Sequence, residues 1–344
     1  MSAHQIKIIT QEGDSVSFDC FEDEDIVSAG LRQEIYLMTS CREGGCATCK
    51  GLCTDGDYEL GKVSFQALPT EEEENGYVLL CRCYPTSDMV VEVPYTYDRI
   101  SFVPVGMNFE AEVVELAKVS SNAMKLQLQS PPDELQIRFD AGQFFDLEIP
   151  GTTTTRSYSP ANISNDRGEL EFLIRIVDNG KFSGWLQNQA HIGQKINVTG
   201  PSGIFGLKEN GFTPRYFVAG GTGLAPILSM VRRMLEWGDP QTSVIYFGVN
   251  TEEEVFYADE LKRLEAEMPN LTVRICVWKA SESWDREKGS VVDILRRDLQ
   301  GGGVSPDLYL CGPPGMVDAV YAVCAEAGIA QNKIFLEKFL PSVS

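Results

Sequence analysis

Four cysteines constrain the first quarter of this chain more tightly than any hydrophobic pattern. Cys41, Cys46 and Cys49 follow the spacing C-x4-C-x2-C, and 31 residues separate Cys49 from Cys81. Thiolates at this spacing hold a [2Fe–2S] cluster. The chain must therefore wrap a tight loop around one metal centre and bring a distant segment against it. Gly44 and Gly45 supply backbone freedom inside the loop. Ala47 and Thr48 are small enough for amide N–H groups to approach the sulfides. A structural zinc site would more often show two paired C-x2-C hooks. A Rieske centre needs two histidine ligands, and the only histidines, His4 and His191, sit beside no cysteine.

The fourth ligand has two candidates in Tyr77-Val78-Leu79-Leu80-Cys81-Arg82-Cys83. Cys81 and Cys83 have the same parity in an extended chain. Cys81 follows the apolar run directly and is preferred, with Cys83 as its competitor. Cys53 is spare. Cys20, Cys276, Cys311 and Cys324 are scattered, which fits reduced thiols rather than a disulfide framework.

At 344 residues the chain has room for two or three domains. It shows no basic-plus-apolar leader, and its apolar-leaning run from Tyr216 to Val231 is interrupted by glycines and Pro226. A soluble, cytoplasmic protein is expected, and a monomer. The net charge of −21 argues against nucleic acid as a partner. Residues 1–98 hold 6 Lys/Arg against 19 Asp/Glu, a net of −13, leaving −8 for the rest. Part of that charge is a solubilising surface. Around the cluster it can also steer a partner with a basic face.

The chain changes rhythm twice. Residues 5–20 alternate as a hairpin, Asp25 caps a helix over Ile26–Leu31, and an acidic helix runs from Pro69 to Glu74. These elements predict a small β-grasp-like domain over 1–98, followed by a linker at 99–104. Residues 105–208 carry short strands over Phe109–Leu116, Met124–Gln129, Gln143–Ile149, Leu170–Val177 and Lys195–Thr199, with a helix at Phe182–Asn188. That spacing predicts an antiparallel barrel or sandwich, and the barrel is preferred. Residues 209–344 alternate strand and helix, which predicts a doubly wound parallel sheet.

Each later domain carries a motif. Ala219-Gly220-Gly221-Thr222-Gly223-Leu224-Ala225-Pro226 stands at a strand-to-helix turn, where glycines let a pyrophosphate approach a helix N-terminus. A tight turn with no ligand is the plain alternative. A second turn, Cys311-Gly312-Pro313-Pro314-Gly315, would lie at the same sheet edge. Glu252, Glu253 and Glu254 follow the second strand and have the wrong sign for a 2′-phosphate, so NADH is expected over NADPH, unless these glutamates simply begin the next helix. In the barrel, Arg156-Ser157-Tyr158-Ser159 offers a cation, an aromatic face and a hydroxyl. Arg175 and the turn Gly180-Lys181-Phe182-Ser183 add a second anion site.

Taken in order, these motifs resemble the ferredoxin-fused members of the ferredoxin–NAD(P)+ reductase superfamily, the reductase components of bacterial multicomponent oxygenases. Ser40–Lys50, Gln66-Ala67-Leu68-Pro69 and Glu337-Lys338-Phe339-Leu340-Pro341 look like the branch that serves soluble methane monooxygenase. The resemblance implies that Cys41, Cys46, Cys49 and Cys81 ligate iron. It implies that Arg156, Tyr158, Ser159, Arg175, Lys181 and Ser183 hold FAD, with Tyr158 on the ring system. It places NADH on Gly220, Gly221, Thr222, Gly223, Gly312 and Pro313, with Cys311 near the nicotinamide and Phe339 covering the flavin. Electrons would pass from NADH to FAD, to the cluster, and to an oxygenase hydroxylase docked at the acidic domain. A reductase for an aromatic-ring dioxygenase or a phenol or toluene monooxygenase is the alternative. A plain electron-carrier ferredoxin and a zinc-binding module are the rivals from other classes.

Overall fold

The computed structural model describes residues 3–39, 42, 44–45, 47–65, 67–102, 107–131, 137–208, 211–301 and 305–338. Cys41, Cys46 and Phe339 lie outside the described residues. The chain forms two compact units, Met1–Met107 with Ser202–Ile204, and Asn108–Pro201 with Phe205–Ser344.

The first unit begins with the expected hairpin, β1 (Ala3–Ile9) against β2 (Ser15–Phe21). Alternation puts Ile6, Ile8, Phe18 and Cys20 on one buried face. Helix α1 (Ile26–Arg32) covers that face, and its N-cap Asp25 accepts the Ser28 N–H at 3.0 Å. Gly30 lets the helix approach its own exit, because a Cβ there would stand 2.8 Å from the Ile35 carbonyl oxygen. Then follow β3 (Lys50–Asp55), β4 (Tyr58–Leu60), α2 (Thr70–Glu74), β5 (Tyr77–Leu79), β6 (Cys83–Pro85) and β7 (Met89–Glu92). The main sheet runs β2-β1-β7-β3-β5, with β1 and β7 parallel. This is the predicted β-grasp arrangement. Within the expected linker, Ile100 is buried and Ser101 bridges Tyr36.

The second unit opens with a six-stranded sheet of β8 (Met107–Ser120), β9 (Ala123–Gln129), β10 (Phe144–Glu148), β11 (Thr155–Tyr158), β12 (Glu169–Arg175) and β13 (Lys195–Ser202). Its order is β11-β10-β13-β8-β9-β12. The bridge Pro160↔Phe172 joins the two ends and closes a barrel. Phe145 and Phe172, edge-on at 6.5 Å, are wholly buried against one another on its inner face, while Phe144 is buried on the opposite face of β10. Helix α3 (Lys181–Asn188) plugs one side with Phe182, Trp185 and Leu186.

The rest of this unit is a parallel sheet of β14 (Arg215–Gly220), β15 (Ser243–Val249), β16 (Leu271–Val277), β17 (Glu287–Lys288), β18 (Asp307–Gly312) and β19 (Ile334–Lys338), in the order β17-β16-β15-β14-β18-β19. Helices α4 (Leu224–Trp237) and α5 (Ala258–Glu267) contribute to one apolar cluster. Helices α6 (Val291–Gln300) and α7 (Pro314–Glu326) contribute to the other. The sheet is thus doubly wound. All six residues of β18 are buried, as a central parallel strand requires. The strand order reverses at β14, so the carboxyl ends of β14, β15 and β18 open on the crevice where such folds take ligands. The five residues of β19 pair in parallel with β18, a strand that no local pattern in the sequence announces.

Candidate functional site

Cys49 immediately precedes β3, and its carbonyl accepts the Leu80 N–H at 3.0 Å. Cys81 follows in the 3-10 turn Leu80–Arg82. The pairing of Lys50 with Leu79 therefore brings these two cysteines together, and they are 2 % and 3 % exposed. Cys83 lies in β6 opposite Leu60. Burial pushes its thiol well up, and it packs with Cys20 and Ile26 in the apolar cluster of the first unit. The turn breaks the alternation that would have put Cys81 and Cys83 on one face. Inside the loop, Gly44 takes φ +73, and an added Cβ would meet the Lys62 carbonyl oxygen at 2.8 Å. Arg42 and Ala47 also have left-handed backbones, at φ 52 and φ 61. Each such residue costs about 1–2 kcal/mol, and strain of this kind is kept where a functional loop enforces it.

On the barrel, β11 alternates. Ser157 bonds to Asp146 across the β10–β11 pair, while Arg156 and Tyr158 point to the opposite side. The Tyr158 ring packs 5.0 Å from Phe182, which stacks edge-on against Trp185 at 5.2 Å. Burial pushes the Tyr158 phenol up, so it stays neutral. Arg156 donates to the Thr155 carbonyl at 2.6 Å. Arg156, Arg175 and Lys181 have no acid partner among the described residues, although the chain carries 50 acids. Uncompensated cations around an aromatic face suit a phosphorylated aromatic cofactor. Ser183 is buried, and its hydroxyl is engaged by the backbone of Val177, donating to the carbonyl and accepting from the N–H at 3.2 Å. It pins the turn that starts α3.

The two Gly/Pro turns meet at the carboxyl edge of the parallel sheet. A Cβ on Gly220 would stand 2.7 Å from Pro313 Cδ, and one on Gly223 would stand 2.2 Å from the Cys311 carbonyl oxygen. A Cβ on Gly312 would stand 3.0 Å from the Gly220 nitrogen. These three glycines let the turns pack. Gly221, at φ +55, has nothing within 4 Å of its Cβ position and leaves open space beside the half-buried Thr222. That space lies at the N-terminus of α4, where a pyrophosphate is favoured. Cys311 is fully buried, and burial with the charge of Glu337 pushes its thiol well above the ordinary value.

Comparison with known proteins matches each part of this arrangement. The family of 2Fe-2S iron-sulfur cluster binding domains matches residues 9–86. The oxidoreductase FAD-binding domain matches 110–206, and the oxidoreductase NAD-binding domain matches 217–322. Methane monooxygenase component C of Methylosinus trichosporium is 48% identical over 300 residues, covering 86% of this chain and 87% of its own. The chain belongs to the reductase components of oxygenases. The reductase component of propane 2-monooxygenase from Rhodococcus jostii is 35% identical, covering 94% and 89%. A crystal structure of an Amycolatopsis cytochrome P450 reductase has a TM-score of 0.78 at 27% identity, covering 98% and 100%.

The reductase therefore carries a [2Fe–2S] cluster and FAD and uses NADH. Among its described residues, no helix is long and apolar enough to cross a membrane. One residue at the meeting point of the barrel and the parallel sheet escaped the sequence reading as a site residue. Glu337, on β19 opposite Cys311, accepts the Ser159 hydroxyl at 2.9 Å. Its signal was weak, because a lone glutamate after Ile-Phe-Leu reads as the end of an apolar run. The reductase's Glu252–Glu254 form a 3-10 turn after β15. Glu254 accepts the Asn250 N–H at 3.0 Å and braces its own loop, while Glu252 accepts the Ser281 N–H at 2.7 Å and ties that loop to the one after β16.

Proposed function

We propose that this reductase passes electrons from NADH to the hydroxylase of a soluble methane monooxygenase. The observation that carries the reading is the identity to methane monooxygenase component C, higher than that to the propane 2-monooxygenase reductase. When bound, FAD takes a hydride from NADH and the cluster carries single electrons. Cys41, Cys46, Cys49 and Cys81 would hold the cluster. The buried Cys49–Cys81 approach and the left-handed residues of the loop support that set. Arg156, Arg175 and Lys181 would neutralise the FAD phosphates, and Tyr158 would lie on the ring system. Ser159 would sit beside it, while Ser183 would act through the turn it pins.

Gly221 and Thr222 would receive the NADH pyrophosphate, framed by Gly220, Gly223, Gly312 and Pro313. Cys311 and Phe339 would border the nicotinamide. The acidic turn Glu252–Glu254 would disfavour a 2′-phosphate through its field. The working segments would be 1–98, 105–208 and 209–344. The protein would act as a cytoplasmic monomer that docks its partner at the acidic first domain.

A visible spectrum of the purified protein, titrated with NADH and separately with NADPH, tests the cofactor roles. Flavin and iron–sulfur bands bleached preferentially by NADH are expected. Equal rates with both nucleotides would refute the role given to the glutamates. Electron transfer to purified hydroxylases tests the partner. A methane monooxygenase hydroxylase should be reduced faster than an aromatic-ring dioxygenase. Its rate should fall with salt, since charges are screened beyond about 8 Å near physiological ionic strength. The reverse preference would favour the dioxygenase reading.

A further inference from the structure

Helix α4 begins at the glycine turn assigned to NADH, and its residues Ser229 and Arg232 share one face three positions apart. Both reach the barrel. The wholly buried Ser229 donates to the Asn162 carbonyl at 2.7 Å. Arg232 Nη1 donates to the Ala161 carbonyl at 3.0 Å and to Glu171 Oε1 at 3.1 Å. Its Nε and Nη2 hold Glu260 Oε1 on α5 at 3.1 and 3.0 Å. Glu171, on barrel strand β12, also accepts the Tyr257 hydroxyl at 3.1 Å, and Lys125 Nζ lies 3.9 Å from its other oxygen. Ala161 and Asn162 come directly after Ser159 and Pro160, the end of the Arg156–Ser159 motif.

We propose that Ser229 and Arg232 are positioning residues for hydride transfer. They bolt the helix of the nucleotide turn to the strand end of the flavin motif. Every polar nitrogen of Arg232 has a partner, Nη1 on Ala161 and Glu171 and the Nε–Nη2 edge on Glu260, so three segments converge on it. Apolar packing alone tolerates sliding, whereas hydrogen bonds of this geometry fix a register. Hydride transfer is sensitive to such a register, since a misplacement of about 1 Å can cost on the order of 100-fold in rate. The inference rests on the assignment of Arg156–Ser159 to FAD and Gly221–Gly223 to NADH.

The test uses the holoenzyme, with stopped-flow flavin reduction at saturating NADH, NADH half-saturation, flavin content and dithionite reduction measured in parallel. Ser229→Ala removes one bond with little change in volume. Arg232→Lys keeps the charge but cannot span Ala161, Glu171 and Glu260 together. The limiting rate should fall roughly 10-fold in Ser229→Ala and about 100-fold in the double variant. Half-saturation should stay within about threefold, with flavin content and dithionite reduction unchanged. An unchanged limiting rate, or a loss that only tracks lost flavin, would overturn the proposal. If Arg232→Lys does not fold, Ser229→Ala and Tyr257→Phe carry the same comparison. Failure of the wild-type flavin to bleach with NADH would instead refute the cofactor assignment.

Discussion

Ser159 donates its hydroxyl to Glu337 Oε2 at 2.9 Å, joining residues 178 positions apart. The serine ends the barrel motif, and the glutamate sits on β19 in register with Cys311. One hydrogen bond thus connects the flavin side of the second unit to the last strand of the nucleotide sheet. Removing it should matter twice. Ser159→Ala should cost about 2 kcal/mol in urea unfolding, the scale of a hydrogen bond to a charged acceptor, and should slow flavin reduction by NADH. Unchanged values in both measurements would show that the contact is incidental.

The glycines of the nucleotide turn should separate by role. Gly223→Ala places a Cβ 2.2 Å from the Cys311 carbonyl oxygen, a backbone atom that cannot step aside. The turn must move, and NADH half-saturation should rise by at least an order of magnitude while the cluster spectrum is untouched. Gly221→Ala meets no protein atom, so its cost to the fold is only that of its left-handed backbone, about 1–2 kcal/mol, while its methyl intrudes on the space assigned to the pyrophosphate. Urea unfolding in which Gly223→Ala is no less stable than Gly221→Ala would contradict this division.

Gly44 should prove indispensable to the cluster loop. A Cβ there meets the Lys62 carbonyl oxygen at 2.8 Å and the residue holds φ +73. Gly44→Ala is expected to lose the iron–sulfur absorption and all transfer to the hydroxylase. Reduction of the flavin by NADH should survive, because those residues belong to the other unit. Full iron content in the variant would show that the loop adapts.

Acid should loosen the second unit through Glu260. The Arg263 guanidinium, and with it Arg232, holds this carboxyl below its ordinary value of 4.5, against the opposing effect of burial. A carboxyl depressed in the folded state stabilises it fully above the unfolded value. That contribution disappears as pH falls through the lower folded value. Melting temperature measured from neutral pH downward should therefore drop below about pH 4.5, and Glu260→Gln should flatten that limb. Parallel acid limbs for the two proteins would exclude the assignment.

Much of the fold was legible because its signals are local. The first hairpin, the Asp25 cap and the glycine turn after β14 depend on residues within a few positions of one another. The alternation of strand and helix after residue 209 required only periodicity. β19 was not legible in this way. Ile334–Lys338 is too short to announce itself, and it becomes a strand because β18 offers a free edge. Ser183 looked like a ligand by its place at a helix start, yet its hydroxyl turns back to Val177.

The four cysteine positions and the two glycine turns were determined by the sequence itself, since spacing alone limits what can wrap a metal centre or admit a phosphate. The approach of Cys81 to Cys49 is a tertiary fact. Parity treats Cys81 and Cys83 alike; the apolar run and the family resemblance favour Cys81, and the pairing of β3 with β5 and the 3-10 turn that follows supply the geometry that sets it beside Cys49. The same holds for Glu337 at Ser159 and for Arg232 between barrel and sheet. Such contacts span tens to hundreds of residues, and no local propensity encodes them. They exist because closing the barrel and ordering the parallel sheet bring those side chains within hydrogen-bond reach.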